Sequence, residues 1–322
     1  MRLSSLATAG VREIRRLEFR YFDPLRFTAR KGRLQRLGIA GVAELPVAEL
    51  DLHRESPHCD DNCAVFLRNE ESYLAKYLGI GGAAPWRGTP CLIDLDAYPD
   101  FDAYLARVRR HSKGGVLRQA RQAQAKGFRC RIIARELYQR QCFEIRASKR
   151  FRSGPVLEAF LTTPPPDFAD GITVEQLAAH LGQELPLFMR HAALPDPPTP
   201  RCPYHWRTDW GVLITEDVVG AGGVVFPERL VGFVFLRRIG NLVRTSAAMG
   251  HGAYLSLHTI KLLFHDIVQW LLARRDPLVA GLRYFQYGAA EHGSDGLLAW
   301  KQSFEFAPYR FRLAASANGY AD

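Results

Sequence analysis

No run of eighteen or more apolar residues occurs in the chain, so no segment reads as a helix that spans a bilayer. The opening residues carry no signal-peptide core: the short Leu-Ala-Thr-Ala-Gly patch soon meets Arg12, Glu13, Arg15 and Arg16. Residues 11 to 20 are read as a basic amphipathic helix packed on the domain surface. There is no Gly-x-Ser-x-Gly elbow to expose a serine nucleophile, and no cysteine has an identifiable ordered histidine partner. The run Gly220-Ala221-Gly222-Gly223 lacks the Gly-Lys-Ser/Thr of a phosphate loop and precedes a strand, so it reads as a hairpin turn. Only six cysteines are present, scattered and without an export signal, which sets the expectation of a cytoplasmic protein with reduced thiols.

Acid is also in deficit. The 43 Lys and Arg residues outnumber 33 Asp and Glu, for a net charge of +10. That balance suits a phosphate-bearing partner such as a nucleotide cofactor, a nucleic acid or an anionic lipid surface; an arginine-rich composition without such a role is the alternative. Hydrophobic content of 47% and charged content of 24% are those of a globular protein and exclude disorder as a description of the whole. With 322 residues the chain is large for one core. Two proline-rich breaks, Thr163-Pro164-Pro165-Pro166-Asp167 and the stretch from Leu194 to Pro200, then suggest the division. Residues 1–160 form an N-terminal half, 161–201 a connector with one helix over Thr173 to Leu181, and 202–322 a C-terminal half.

In the first half, residues 17 to 50 read as short strands and loops. Leu92-Ile93-Asp94-Leu95 is a strand leading into a helix near Phe101. Tyr104, Leu105, Val108, Val116, Leu117 and Ala120 share one face, and Arg107, Arg110, Arg118 and Arg121 the other, joined by Arg109, Lys113 and Lys126. Gly114-Gly115 is expected to split this helix, Gly127 to end it, and residues 128–133 to form the next strand. Arginine this concentrated, with little acid to balance it, favours an anionic partner for the 107–126 face over a merely solvated one. His58-Cys59 and Cys63 are placed in an acidic loop with Asp60 and Asp61. With Cys202 and His205 they could supply zinc ligands, but neither half has the paired spacing of a zinc ribbon, so buried thiols and no metal are expected.

The second half carries the chemistry. Strands are read at 212–214, 224–226, 232–236 and 241–246, with a hairpin turn at Arg237-Arg238-Ile239-Gly240. A glycine-bearing segment through Gly250, His251 and Gly252 precedes a helix from about Leu257 to Arg274, whose Ile260, Leu263, Phe264, Ile267 and Leu271 pack on the sheet. A strand over 282–287 follows, then the polar loop containing Glu291, His292 and Asp295. Gly250, Gly252, Ala253, Tyr254 and His258 would present backbone amides at a helix N-terminus, where a pyrophosphate docks, with Arg244 and Lys261 nearby. His251 is a candidate general base, because an imidazole titrates near neutrality, or else a plain turn residue. Glu291 and His292 are equal candidates at the carboxyl edge of the sheet, with a loop-capping role as the alternative.

Two passages, Tyr104 through Gly127 and Gly296-Leu-Leu-Ala-Trp300-Lys301-Gln-Ser-Phe304, resemble the Gcn5-related N-acyltransferase (GNAT) superfamily, in particular its duplicated FemAB-like and CelD-like members. The second is similar to that family's closing Phe-Lys-x-x-Phe-Gly motif, with Trp300 in place of the phenylalanine and Glu305 in place of the glycine. The likeness extends over roughly residues 92 to 311. It implies an α/β fold of two GNAT-like halves, each a mixed, mostly antiparallel sheet flanked by helices, with an acyl donor held by splayed strands of the second half. It also implies transfer of an acyl group from acyl-CoA, or an aminoacyl group from charged tRNA, to a small-molecule or peptide amine by direct attack, with no metal. Lys301 matches the family's lysine, to which contact with phosphate or the tetrahedral intermediate is ascribed. A non-catalytic nucleic-acid-binding protein on the same fold is the third reading.

Overall fold

The computed structural model describes residues 45–53, 56–78, 88–112, 114–149, 200–219, 225–290 and 295–314. The expected helix at 11–20, the helix of the proline-rich connector, the Gly220–Gly223 turn, Glu291 and His292 lie outside them. The elements are β1 (Val47–Leu50), α1 (Asp61–Leu78), β2 (Pro90–Asp94), α2 (Phe101–Ser112), α3 (Gly115–Ala125), β3 (Arg129–Ile132), α4 (Gln139–Ala147), β4 (His205–Val219), β5 (Val225–Ile239), β6 (Leu242–Gly250), α5 (Thr259–Ala273), β7 (Tyr284–Ala289), α6 (Asp295–Ser303), β8 (Ala307–Pro308) and β9 (Arg310–Leu313).

Seven strands form one sheet in the order β3-β4-β5-β6-β7-β2-β8, and β1 pairs with β9 in a separate parallel pair. Every ladder in the large sheet is antiparallel except β6–β7, which is parallel and connected by α5. Its strands come from both sides of the proline-rich stretch, β2 and β3 before it and the remaining five after it.

Strand alternation assigns the two faces. Val234 and Leu236 of β5, with Val243 and Phe285, join α2, α3 and α5 in the main core. Phe233 and Phe235 turn the other way, against Cys142 and Ile145 of α4. Leu242 and Tyr284 share that second side with Phe66, Leu67 and Leu74 of α1. The main core centres on Phe264, whose ring lies 4.7 Å from Trp300, 5.1 Å from Tyr287, and 6.0 to 6.2 Å from Phe304, Phe285 and Phe306.

Several boundaries differ from expectation for identifiable reasons. The supposed acidic loop at 60–63 is the start of α1: Asp60 Oδ1 accepts from the Cys63 N–H at 2.9 Å, an N-cap, and Asp61 stands in the first turn. The strands read at 224–226 and 232–236 are one fifteen-residue strand, and Arg237 and Arg238 lie in it rather than in the turn. Arg238 is fully buried. It donates to the carbonyls of Gly240 (2.7 Å), Leu278 (2.7 Å) and Ala280 (2.6 Å), so a charged residue fills a core position by satisfying three backbone acceptors. The turn shrinks to Gly240 and Asn241. Gly240 has φ of 55°, and a Cβ there would lie 1.7 Å from the Asp51 carbonyl oxygen, so only glycine fits.

Candidate functional site

β6 and β7 touch through three residue pairs only: Leu242 with Tyr284, Val243 with Phe285, and Arg244 with Gln286. Beyond Arg244, β6 runs on to Gly250 paired only to β5, and β7 runs on to Ala289 paired only to β2. The sheet therefore opens into a wedge, with about 20 Å of β6 along one wall. Thr245 Oγ1 donates to the Gln286 carbonyl at 3.3 Å just beyond the last pair. The Gln286 side chain is fully buried at this apex; its amide donates to Gly288 O at 3.3 Å, while Oε1 has no hydrogen-bond donor among the described residues.

At the mouth of the wedge the chain makes a 3-10 turn over Gly252–Leu257 and enters α5. His251 caps the turn, its Nδ1 accepting from the Ala253 N–H at 3.3 Å and its ring edge-on to Tyr254. The Gly252 N–H donates to Ser148 Oγ at 2.8 Å, which ties the turn to the end of α4 and lays the stem of Lys149 beside it. Gly250 is required by packing, since a Cβ would come 2.6 Å from Leu255 Cδ2 and 2.8 Å from Ile260 Cγ1. His258 adopts φ of 65°, and its carbonyl accepts from the N–H groups of Lys261 and Leu262. The N–H groups of Thr259 and Ile260 stand first in α5, at its positive dipole end. The cations of α3 and α5 gather here. The imidazole of His258 is held below its ordinary pKa by burial first, then by Lys261 and Lys126. Lys261 hydrogen-bonds Gln119 of α3, and burial lowers its pKa.

Gly250, His251, Gly252, Ala253, Tyr254, His258 and Lys261 are thus brought together in one turn. Arg244 is not with them. It stands six residues back along β6, and its side chain points to the opposite face, where Glu70 of α1 accepts its Nε at 2.6 Å and Nη2 at 2.9 Å. Its guanidinium also lies 3.7 Å from the centre of the Tyr73 ring. Lys301 is no surface lysine. It is buried, with Nζ donating to Ala289 O at 2.5 Å and lying 5.3 Å from the Tyr287 ring, at the carboxyl end of β7. Burial pushes the Tyr287 phenol up to about 12. Two residues after the helix that carries Lys301, Glu305 has φ of 66°. Glu305, at the position where the resembled motif has glycine, takes a left-handed conformation.

The basic face of α2 and α3 borders this turn through Lys126 and through Phe128, whose ring meets Tyr254 edge-on at 6.0 Å. An open groove of about 410 Å³ runs along it, lined by Arg109, Gly114, Leu117, Arg118, Arg121, Gln122 and Ala125. Arg107 pairs with Glu305 at 3.4 Å, whereas Arg109, Arg110, Arg118 and Arg121 have no carboxylate partner among the described residues.

At the opposite end of the sheet, Cys59, Cys63, Cys202 and His205 meet, their candidate ligand atoms all within 4.8 Å of one another. Residues that sequence reasoning passed over include Gln286, Thr245 and Ser148, polar groups in ordinary strand or helix-end contexts. Only the depth of Gln286 in an apolar strand could have drawn notice.

No family model and no curated protein matches the chain. Seven chains of solved structure do. One is the C-terminal domain (DUF2156) of an Agrobacterium fabrum protein described as a lysylphosphatidylglycerol synthetase, 14% identical, with a TM-score of 0.32 over 69% of this chain. The match spans 58% of that chain's length, and a likeness this slight carries no argument about fold or activity.

Proposed function

We propose that the protein is an N-acyltransferase that moves an acyl group from an acyl-CoA thioester to an amine, the donor lying in the wedge between β6 and β7. The observation that carries this reading is the parting of two parallel strands after Arg244 and Gln286, with a helix N-terminus at the mouth. A wedge leaves strand backbone unpaired and able to bond an extended amide-bearing arm, and the buried Gln286 Oε1 offers an acceptor at its apex. The Thr259 and Ile260 amides, the α5 dipole and the cations Lys126, Lys149 and Lys261 suit the donor's pyrophosphate. In the reaction the amine nitrogen attacks the thioester carbonyl and a tetrahedral oxyanion forms. The C–S bond then breaks, the amine proton passes to a base and the departing thiolate gains a proton. His251, at the turn, is the candidate base among the described residues, with Glu291 and His292 the alternatives just after β7. Lys301, buried at the end of β7, is the candidate for stabilising negative charge.

A second reading, aminoacyl transfer from charged tRNA, is favoured by one feature: the groove with Arg109, Arg118 and Arg121 leads along α3 to the same turn. Thermal-shift measurements with acetyl-CoA, longer acyl-CoAs and bulk tRNA separate the two. A donor at a hundredfold its Kd stabilises the fold by about 2.7 kcal/mol. Stabilisation by a CoA ester supports the first reading, and tRNA binding that falls steeply with salt supports the second. If neither class raises Tm, both fail. Nucleic-acid binding indifferent to His251→Ala and Lys301→Ala would instead favour a binding protein without transfer chemistry.

A further inference from the structure

We propose that Cys59, Cys63, Cys202 and His205 bind one zinc ion in a closed site that is structural and separate from the wedge. The ligands come from two places far apart in the chain: Cys59 and Cys63 at the start of α1, and Cys202 and His205 at the start of β4. In space Cys59 Sγ lies 3.1 Å from His205 Nδ1 and 4.0 Å from Cys202 Sγ, and Cys202 Sγ lies 3.5 Å from the same nitrogen. Bonds of about 2.3 Å to sulfur and about 2.0 Å to nitrogen place the corners of a tetrahedral zinc site roughly 3.5 to 3.8 Å apart. Cys59, Cys202 and His205 are already close to that figure and Cys63 Sγ lies within 4.8 Å of each of them, so the set has room for one ion rather than a cluster. Soft thiolates with one imidazole in a tetrahedron select zinc among the common divalent ions.

Three further features fit a metal. His205 Nε2 donates to the Leu52 carbonyl at 2.8 Å, which leaves Nδ1 unprotonated and aimed at the sulfurs, the second contact that metal-binding histidines make. Cys63, Cys202 and His205 are buried and Cys59 is half-buried, so the protein supplies all four corners and leaves none open for substrate. Three thiolates and a neutral imidazole around a doubly charged cation sum to one negative charge. The buried guanidinium of Arg238 lies 5.3 Å from the centre of the ring of Tyr204, the residue directly before His205. Binding at neutral pH releases the protons of those thiols still protonated, leaving the sulfurs as ligands. The ion would pin α1 to the first strand of the central hairpin at the closed end of the sheet, where Asn241 also holds Asp51.

The test is the metal content of the full-length chain, expressed with added zinc and purified without chelator. About one zinc per chain is expected by mass spectrometry of the metal. It should be released by a mercurial thiol reagent in the presence of pyridylazoresorcinol, and chelation should lower Tm. Cobalt added to the stripped protein should give the intense visible bands of a tetrahedral thiolate site. Cys202→Ser should lose the metal, His205→Cys should keep it with shifted cobalt bands, and Cys91→Ser, at a buried cysteine outside the cluster, should leave the zinc count unchanged. If Cys202→Ser does not fold, the count on the unaltered chain still decides. Zinc well below one per chain, or a Cys59–Cys202 disulfide found by mass spectrometry of the native protein, overturns the proposal.

Discussion

Replacing Glu70 by glutamine keeps the shape of the side chain and removes the charge that two arginines share. Glu70 is buried and accepts from Arg244 at 2.6 and 2.9 Å and from Arg237 at 2.8 Å. Arg237 is about a third exposed and can turn to solvent, so its share is at most about 1 kcal/mol. Arg244 cannot turn: its side chain is 7% exposed and wedged over Tyr73. Stranding one charge of such a pair costs about 3–5 kcal/mol. At about 2–4 °C per kcal/mol, Tm should fall by roughly 6 to 20 °C. Scanning calorimetry and urea titration read this directly. Glu49→Gln is the comparison, since its partner Arg312 and Glu49 itself are both exposed and the loss there should stay under about 1 kcal/mol. Replacing both members, Glu70→Leu with Arg244→Met, should recover much of the loss, because no buried charge is then left alone. Equal costs for Glu70→Gln and Glu49→Gln would refute the reasoning. Arg244 is also the last residue of β6 paired to β7, so the single variant should weaken donor binding well below its unfolding temperature.

Phe264→Ala empties the space between five other aromatic rings and should cost about 3–5 kcal/mol in urea unfolding; a loss under about 1 kcal/mol would mean the core is not packed as described. Lys126→Glu reverses a charge beside the α5 N-terminus and should weaken acyl-CoA binding by about five- to tenfold, roughly 1 kcal/mol, in isothermal titration with Tm unchanged. His258 should titrate below the ordinary 6.5 in an NMR pH series, and Lys126→Gln should move it upward. Its folded pKa lies under its unfolded one, so the stability it contributes is complete above about pH 6.5 and is lost as pH falls through the folded value. Titration at or above 6.5 in the unliganded protein would contradict the geometry.

How far the sequence could carry the description depends on the range of the forces involved. The break between α2 and α3 was legible, because a glycine pair stands there and Gly114 takes φ of 71°. The α5 stripe was legible for the same reason: helix periodicity is local. Arg237 and Arg238 misled, since a pair of arginines signals a turn unless something distant satisfies them, and Leu278 and Ala280 do so for Arg238. Arg244 was grouped with the phosphate site by nearness in the chain. Strand alternation sends it to the other face, and the partner that holds it, Glu70, lies 174 residues away. Cys59, Cys63, Cys202 and His205 could be named together as possible ligands, but with 146 residues between Cys59 and His205 spacing gave no reason to expect them to meet. Lys301 was picked out only by the resemblance; nothing near it in the chain marks it as buried, because its acceptor, Ala289 O, belongs to a strand edge that only the fold supplies.

The place of β2 has a consequence for how this chain reaches its final form. This five-residue segment is hydrogen-bonded on one edge by β7 and on the other by β8, which follow it by 190 and 213 residues. β1 likewise waits for β9. The segments that carry β1 and β2 must therefore leave the ribosome with their strand edges uncovered, and those pairings can form only once β7, β8 and β9 have been made. Such long-range pairing slows folding and prolongs exposure to aggregation. A truncation that removes only β8 and β9 should thus be felt first at residues 47–50 and 90–94, at the other end of the polypeptide.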